Sequence, residues 1–184
     1  MGQQIIIYRH SRATRCAFSC HFKWNMWRPN MELVTKRCLI RNLKQEDAGD
    51  LYQVLSDARV MKYIEATYDM EKTKHFIRTA GLCTPPLVYA IVWKTTGSVI
   101  GHAIFHIYEE SDYEIGWILH RDYWGIGIAG EVTKALIEYA RSLGTKSCIL
   151  ECDTQQVASK KIAIRNGFVY DGTFENLERY RLEL

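Results

Sequence analysis

Tyr123-Trp124-Gly125-Ile126-Gly127-Ile128-Ala129-Gly130-Glu131 is the stretch on which the fold turns. Its three glycines follow an apolar run ending at Leu119 and precede the apolar spacing Val132, Ala135, Leu136, Tyr139 and Ala140. Glycine has no Cβ, so the backbone can turn tightly there and come close to a ligand. A helix that opens at such a turn presents unpaired N–H groups at the positive end of its dipole, which suits an anion such as a phosphate. The segment therefore reads as strand, anion-binding turn and amphipathic helix.

As a bare pattern the run is G-x-G-x-x-G, the dinucleotide-binding fingerprint, and Glu151 stands about twenty residues further on, where that fingerprint wants an acid. The surroundings reject this match. A dinucleotide site needs an apolar strand that runs almost directly into the first glycine, and here His120-Arg121-Asp122-Tyr123-Trp124 intervene. The upstream strands read as an antiparallel meander, and too little chain follows Glu151 for a second nucleotide-binding half.

Outward from the turn, Tyr113 to Leu119 reads as the strand that leads into it, and Glu131 to Leu143 as the helix, ended by Gly144. Leu87 to Lys94 and Val99 to Tyr108 form a hairpin about Thr95-Thr96-Gly97-Ser98, so three successive strands make the meander. Ser147 to Cys152 is the next strand; a crossover helix places it parallel to Tyr113–Leu119. Ala158 to Arg165 is a last helix before Asn166-Gly167, and from Phe168 the chain returns as a strand or two. Nearer the N-terminus, Leu33 to Arg41 reads as one strand, with helices over Gln45 to Leu55, Arg59 to Ile64 and Met70 to Thr79, until Pro85-Pro86 stops helical structure.

A chain of 184 residues suits one domain with a sizeable core. No apolar run approaches membrane-spanning length, which predicts a soluble protein with no membrane partner. The six cysteines, Cys16, Cys20, Cys38, Cys83, Cys148 and Cys152, show neither paired C-x-x-C knuckles nor a secreted framework, and read as reduced thiols in a cytoplasmic protein. Cys148 and Cys152 share a strand face without nearby histidines, which favours packing over a metal site. His102, His106 and His120 likewise have no metal-site spacing, so no metal is expected.

Net charge is +3, but residues 1–30 carry five Lys or Arg and no acid, leaving 19 basic and 21 acidic groups in the remainder. A nearly neutral body argues against nucleic-acid binding by the fold itself. Residues 1–30 form an extension unlike the rest, and 31–184 read as one domain. A transit peptide fits the acid-free, Arg-bearing composition, but amphipathic periodicity is poor. The preferred reading is that Met31 begins the natural chain, with a functional basic arm as the alternative.

Several segments together resemble the GCN5-related N-acetyltransferases (GNAT), and within them the RimJ and RimL branch of ribosomal-protein N-terminal acetyltransferases. They are Thr35-Lys36-Arg37-Cys38-Leu39-Ile40-Arg41, Gln45-Glu46-Asp47-Ala48, Val60-Met61-Lys62-Tyr63, Tyr113-Glu114-Ile115-Gly116-Trp117 with His120 to Ala129, and Ser159 followed by Gly167-Phe168. The resemblance covers residues 33–184. It implies an α/β (α+β) fold: a mixed, mostly antiparallel central sheet with a splayed parallel strand pair and helices on both faces.

It also implies acetyl-coenzyme A (acetyl-CoA) as co-substrate. The pyrophosphate loop then runs over Trp124, Gly125, Ile126, Gly127, Ile128 and Ala129, one register earlier than the dinucleotide pattern, with Gly130 close behind. Two positions depart from the family pattern. Ile126 stands where Lys or Arg is usual, which shifts the burden onto backbone N–H groups, and Gln156 stands where the family has Asn. The backbone of Trp117, Ile118 and Leu119 is the expected pantetheine track and a source of an oxyanion donor.

The implied chemistry is direct attack by a neutral amine on the thioester, which needs a base, oxyanion donors and an acid. Glu114 holds the position of the base, with strand alternation turning it away from Tyr113 and Ile115, and with the rings of Tyr113, Trp117 and Tyr123 expected to raise its pKa. Glu151 is the second choice. Many relatives use a Tyr as acid where this chain has Ala163; Ser159 is the substitute the branch suggests, although a Ser near a helix start also serves as a cap. The acceptor is a primary amine, with a protein N-terminus as the branch-level expectation and an aminoglycoside-like or polyamine-like molecule as the alternative. Glu65, Asp69 and Glu71 are candidates to attract it, with ordinary solvated surface as the alternative. A non-catalytic acetyl-CoA-binding module is the remaining functional class, and the resemblance also allows a homodimer.

Overall fold

The computed structural model describes residues 30–109 and 111–184. The N-terminal extension, with both readings of it, falls at residues 1–29 outside the described residues.

The segment expected as one first strand is a hairpin of β1 (Glu32–Val34) and β2 (Cys38–Asn42). No Gly or Pro marks its turn; Thr35 makes it, accepting the Cys38 N–H on Oγ1 at 2.9 Å while its own N–H donates to the Cys38 carbonyl at 2.9 Å. A 3-10 turn at Gln45–Asp47 leads into α1 (Ala48–Leu55). Helix α2 (Ala58–Met61) is shorter than the sequence suggested; its cap Asp57 accepts the Arg59 N–H. Helix α3 (Met70–Phe76) is capped by Asp69 and widens into a π turn over Ile77–Gly81.

The meander is present as β3 (Val88–Trp93), β4 (Val99–Ile107) and β5 (Asp112–Leu119). Helix α4 (Ile128–Ser142) begins earlier than Glu131, because Gly127 takes the N-cap in a left-handed conformation with φ 86°. It is followed by β6 (Ser147–Asp153), α5 (Val157–Arg165), β7 (Val169–Phe174) and β8 (Leu177–Glu183).

These strands form one eight-stranded sheet in the order β1-β2-β3-β4-β5-β6-β8-β7. Only β5 and β6 pair in parallel. Helices cover both faces. On one, Val132, Leu136 and Ala140 of α4 and Ala163 of α5 pack with Ile115 and Leu119 of β5. On the other, Leu51, Val54 and Leu55 of α1, Met61 of α2 and Phe76 of α3 pack with Val88, Ala90 and Ile118. Each fully buried Leu, Ile or Phe contributes about 1.5–3 kcal/mol, so both faces hold the sheet.

The feature that positions the site is a divergence of strands. β5 and β6 pair only at Asp112↔Ser147, Tyr113↔Cys148 and Glu114↔Ile149. Beyond that point β5 stays with β4 as far as Leu119↔Gly101, and β6 stays with β8 as far as Asp153↔Leu177. The two strands splay, and a wedge opens between Ile115–Leu119 and Leu150–Asp153. Close approach of β4 to β5 depends on Gly101, where an added Cβ would lie 2.1 Å from the Ile118 carbonyl oxygen.

Candidate active site

The glycine turn is built as a backbone cradle. Gly125 and Gly127 both have positive φ, 73° and 86°, a region open to glycine at little cost. The first hydrogen bond inside α4 is from the Glu131 N–H to the Gly127 carbonyl at 3.2 Å. The N–H groups of Ile128, Ala129 and Gly130 therefore have no partner within the helix and stand at the positive end of its dipole. An added Cβ at Gly125 or Gly130 meets nothing within 4 Å, so space above the turn is open. Ile128 is fully buried, so it can offer an anion only its N–H. Trp124 uses its indole N–H to bond the Leu119 carbonyl at 2.8 Å, which ties the turn to the end of β5.

The wedge between β5 and β6 is a cleft lined by Glu114, Trp117 and Ile118 of β5, Glu151 and Asp153 of β6, Gln156 and Ser159 of α5, and Tyr63 and Ile64 after α2. Trp117 and Ile118 line this wedge, and their β6-facing backbone lies beyond the β5–β6 pairing. Leu119 lies past the cleft with its carbonyl given to Trp124. Gln156 accepts the Asp153 N–H at 3.2 Å and so closes the turn from β6 into α5. Ser159 caps nothing: its hydroxyl makes no hydrogen bond among the described residues, and the residue lines the cleft. Ala163 is buried in the core, with no hydroxyl to replace the family's tyrosine.

Glu114 faces the α1–α3 side, as strand alternation requires. Its expected aromatic neighbours are elsewhere. Tyr113 and Trp117 point to the opposite face, and Tyr123 packs on Trp93 with ring centroids 5.2 Å apart. The neighbour is His106, its register partner on β4, whose Nε2 lies 3.2 Å from Glu114 Oε2. That contact is not aligned as a hydrogen bond and acts as attraction of charge. His106 Nδ1 sits 3.0 Å from the Ile107 carbonyl, which places a proton on that nitrogen. Burial pushes the imidazole pKa down, but contact with the Glu114 carboxylate, the Ile107 carbonyl and the charge of Glu151 outweigh it, and the pKa is raised. Glu151 is already engaged: the Tyr108 hydroxyl donates to it at 2.8 Å, and burial followed by this bond pushes Tyr108 up to about 12.

The acids expected to attract an acceptor serve structure instead. Glu65 is held by Tyr68 and, at 3.0 Å, by Lys72; Asp69 caps α3; Glu71 pairs with Lys74 on the exposed surface. The negative charge of the cleft comes from Glu114, Glu151 and Asp153. His102 is a neutral core residue packed on Phe76, its pKa pushed down to about 3 by burial. Among the described residues no group of three or more His, Cys, Asp or Glu side chains could hold a metal ion.

Tyr63 and Ile64 come from the helical stretch of residues 44–80 where the acceptor pocket is expected, though neither stands out in the sequence, and Asp153 at the end of β6 carries no local signal for the site. Arg37 was also missed, though it stands in the Thr35–Arg41 run. Its Nε lies 2.8 Å from Glu131 on α4 and its Nη1 donates to the Ile126 carbonyl at 2.8 Å, across 94 and 89 residues.

The family profile described as Acetyltransferase (GNAT) domain matches residues 37–169. The chain is similar to uncharacterized N-acetyltransferase YnaD of Bacillus subtilis (strain 168), 30% identical over 149 residues that cover 79% of this chain and 86% of that protein. It superimposes on a GNAT-family acetyltransferase from Bacillus anthracis with a TM-score of 0.74 and 25% identity, covering 82% of this chain and 96% of that one. RimL, the ribosomal L7/L12 alpha-N-protein acetyltransferase in complex with coenzyme A, shares the fold, with a TM-score of 0.72 at 18% identity over 84% of this chain and 98% of its own.

Proposed function

The chain belongs to the GNAT family of acetyl-CoA-dependent N-acetyltransferases, and from that premise we propose that it acetylates a protein N-terminal amine in the wedge between β5 and β6. The observation that carries this reading is the joining of two features at one strand. The glycine turn lies just beyond the end of β5, and the released backbone of β5 leads from it to a carboxylate, Glu114, on the cleft wall. The protein acceptor is supported by the shared fold of RimL, whose own substrate is a ribosomal protein N-terminus.

The N–H groups of Gly127 to Gly130 hold the pyrophosphate, and the β6-facing backbone of Trp117 and Ile118 pairs with the pantetheine arm. Glu114 takes a proton from the acceptor ammonium, and the neutral nitrogen attacks the thioester carbonyl carbon. A C–N bond forms, the carbonyl oxygen gains negative charge beside a β5 N–H donor, and the C–S bond then breaks. The thiolate takes up the proton that the attacking nitrogen sheds as it becomes an amide, relayed through the hydroxyl of Ser159 on the cleft wall, which ends as it began. His106 stands behind Glu114, its Nε2 3.2 Å from Glu114 Oε2, and this contact fixes the side of the strand on which the carboxylate lies.

A small cationic amine of the polyamine or aminoglycoside kind is the second reading, favoured by the three carboxylates of the cleft. Incubation with acetyl-CoA and a panel of N-terminally free peptides, polyamines and aminoglycosides, with thiol release as readout and mass spectrometry of the product, separates the two. Acetyl on a peptide α-amine with no polyamine turnover supports the first. Turnover of polyamines alone replaces it with the second, and no turnover with any amine sinks both.

A further inference from the structure

Glu131 lies in the first turn of α4, beside the N–H groups proposed to hold the pyrophosphate. A bare carboxylate at that place would repel an anion. It is instead occupied by three donors from the β1–β2 turn: the Thr35 hydroxyl at 2.6 Å, the Arg37 N–H at 2.6 Å and Arg37 Nε at 2.8 Å. Burial alone would raise its pKa, yet the Thr35 and Arg37 hydrogen bonds together with the Arg37 charge hold it below the ordinary carboxylate range.

The same guanidinium reaches the turn itself. Nη1 donates to the Ile126 carbonyl at 2.8 Å, and Nη2 lies 3.6 Å from the place a Cβ would take at Gly127. A trans peptide is planar, with its carbonyl and following N–H pointing in opposite directions. Fixing the Ile126 oxygen on Arg37 therefore aims the Gly127 N–H away from Arg37, on the other face of the turn. Meanwhile the turn lacks a basic side chain of its own, since Ile126 is apolar and half exposed.

From these contacts we infer that Arg37 is a positioning residue for the coenzyme A pyrophosphate. It cancels the charge of Glu131 and orients the Ile126–Gly127 peptide, so that the phosphates meet backbone donors. It acts through the turn from its far side, in place of the missing charge at position 126. The inference rests on the proposed reading of the glycine turn as the pyrophosphate site.

The test compares two donors, acetyl-CoA and acetyl-pantetheine, which keeps the thioester but has no pyrophosphate. With the folded full chain, Arg37→Gln raises KM for acetyl-CoA about tenfold, the range expected for a charge at a helix N-terminus in a partly buried setting. KM for acetyl-pantetheine and for the amine stays as in the wild type, an outcome that a general loosening of the fold would not give. Arg37→Lys keeps the charge but cannot reach Glu131 and the Ile126 carbonyl together, and gives an intermediate ratio of the two KM values. A wild-type ratio in Arg37→Gln overturns the inference; should that variant not fold, a wild-type ratio in Arg37→Lys does so. A wild-type enzyme that does not prefer acetyl-CoA to acetyl-pantetheine would instead remove the pyrophosphate reading on which the inference rests.

Discussion

The two faces of the sheet solve their tasks by different means. The α4 face is held mainly by one helix of 15 residues, with α5 beside it, and the end of α4 nearest the cleft is made of backbone, with left-handed glycines and unpaired N–H groups. The opposite face is assembled from helices of 8, 4 and 7 residues and a π turn, and what it brings to the cleft is side chains: Glu114, Tyr63 and Ile64. A backbone site recognises a constant chemical group, since every residue can supply N–H donors. A side-chain site can be recut by substitution. On the proposed reading donor and acceptor recognition fall on separable halves of the molecule, and variants can be chosen that disturb one half alone.

Glu114→Gln is the largest expected break. It removes the proposed base from the side-chain half, lowering kcat by about 10²–10⁴-fold, while the dissociation constant for acetyl-CoA measured by calorimetry stays near the wild-type value. Unchanged turnover would transfer the base to another group, with Glu151 first in line. Gly101→Ala attacks the junction of the halves, where the new Cβ meets the Ile118 carbonyl. Overpacking against backbone should cost about 1–3 kcal/mol or more in denaturant unfolding, and activity of the folded fraction should fall for both substrates together.

Gly127→Ala is the corresponding break of the backbone half. Forcing an L side chain into the left-handed region costs about 1–2 kcal/mol, and if the strain is relieved by moving the turn, KM for acetyl-CoA rises by about tenfold with KM for the amine unchanged. An equal rise in both KM values would dissolve the separation of the halves. His106→Gln sharpens the other side by pH. The raised pKa of His106 means its contribution to stability is full below the unfolded-state value and is lost as pH rises through the folded value. The stability gap between wild type and variant, followed by urea unfolding, should therefore shrink with rising pH across that window. The smallest effect belongs to Glu138→Ala, which removes an exposed pair with Arg141 on α4 far from either task; stability should move by less than about 0.5 kcal/mol.

Legibility in the sequence followed the same division. The glycine turn, the meander and α4 could be read because their signals are local: a residue without Cβ, strand alternation, and a period of 3.6. The facing of Glu114 followed from alternation as well. Its neighbours did not, because the same alternation that turns Glu114 to one face sends Tyr113 and Trp117 to the other, while His106 arrives by strand register from β4. The β1–β2 hairpin was read as one strand because a threonine side chain, with no glycine or proline, makes its turn. The acids Glu65, Asp69 and Glu71 looked free in the sequence and are taken up by Lys72, a helix cap and Lys74. Arg37 meets its partners across most of the domain, a pairing that no window of sequence contains.

The strand order has a consequence for synthesis. β8 is the last strand in chain order, yet it lies between β6 and β7 and supports β6 along Ser147–Asp153. A nascent chain that has emerged through α4 already owns its anion-binding turn, but one wall of the wedge still lacks its support. Closure of the anion-binding turn and support of the cleft wall are therefore separate steps of folding, the second depending on β8.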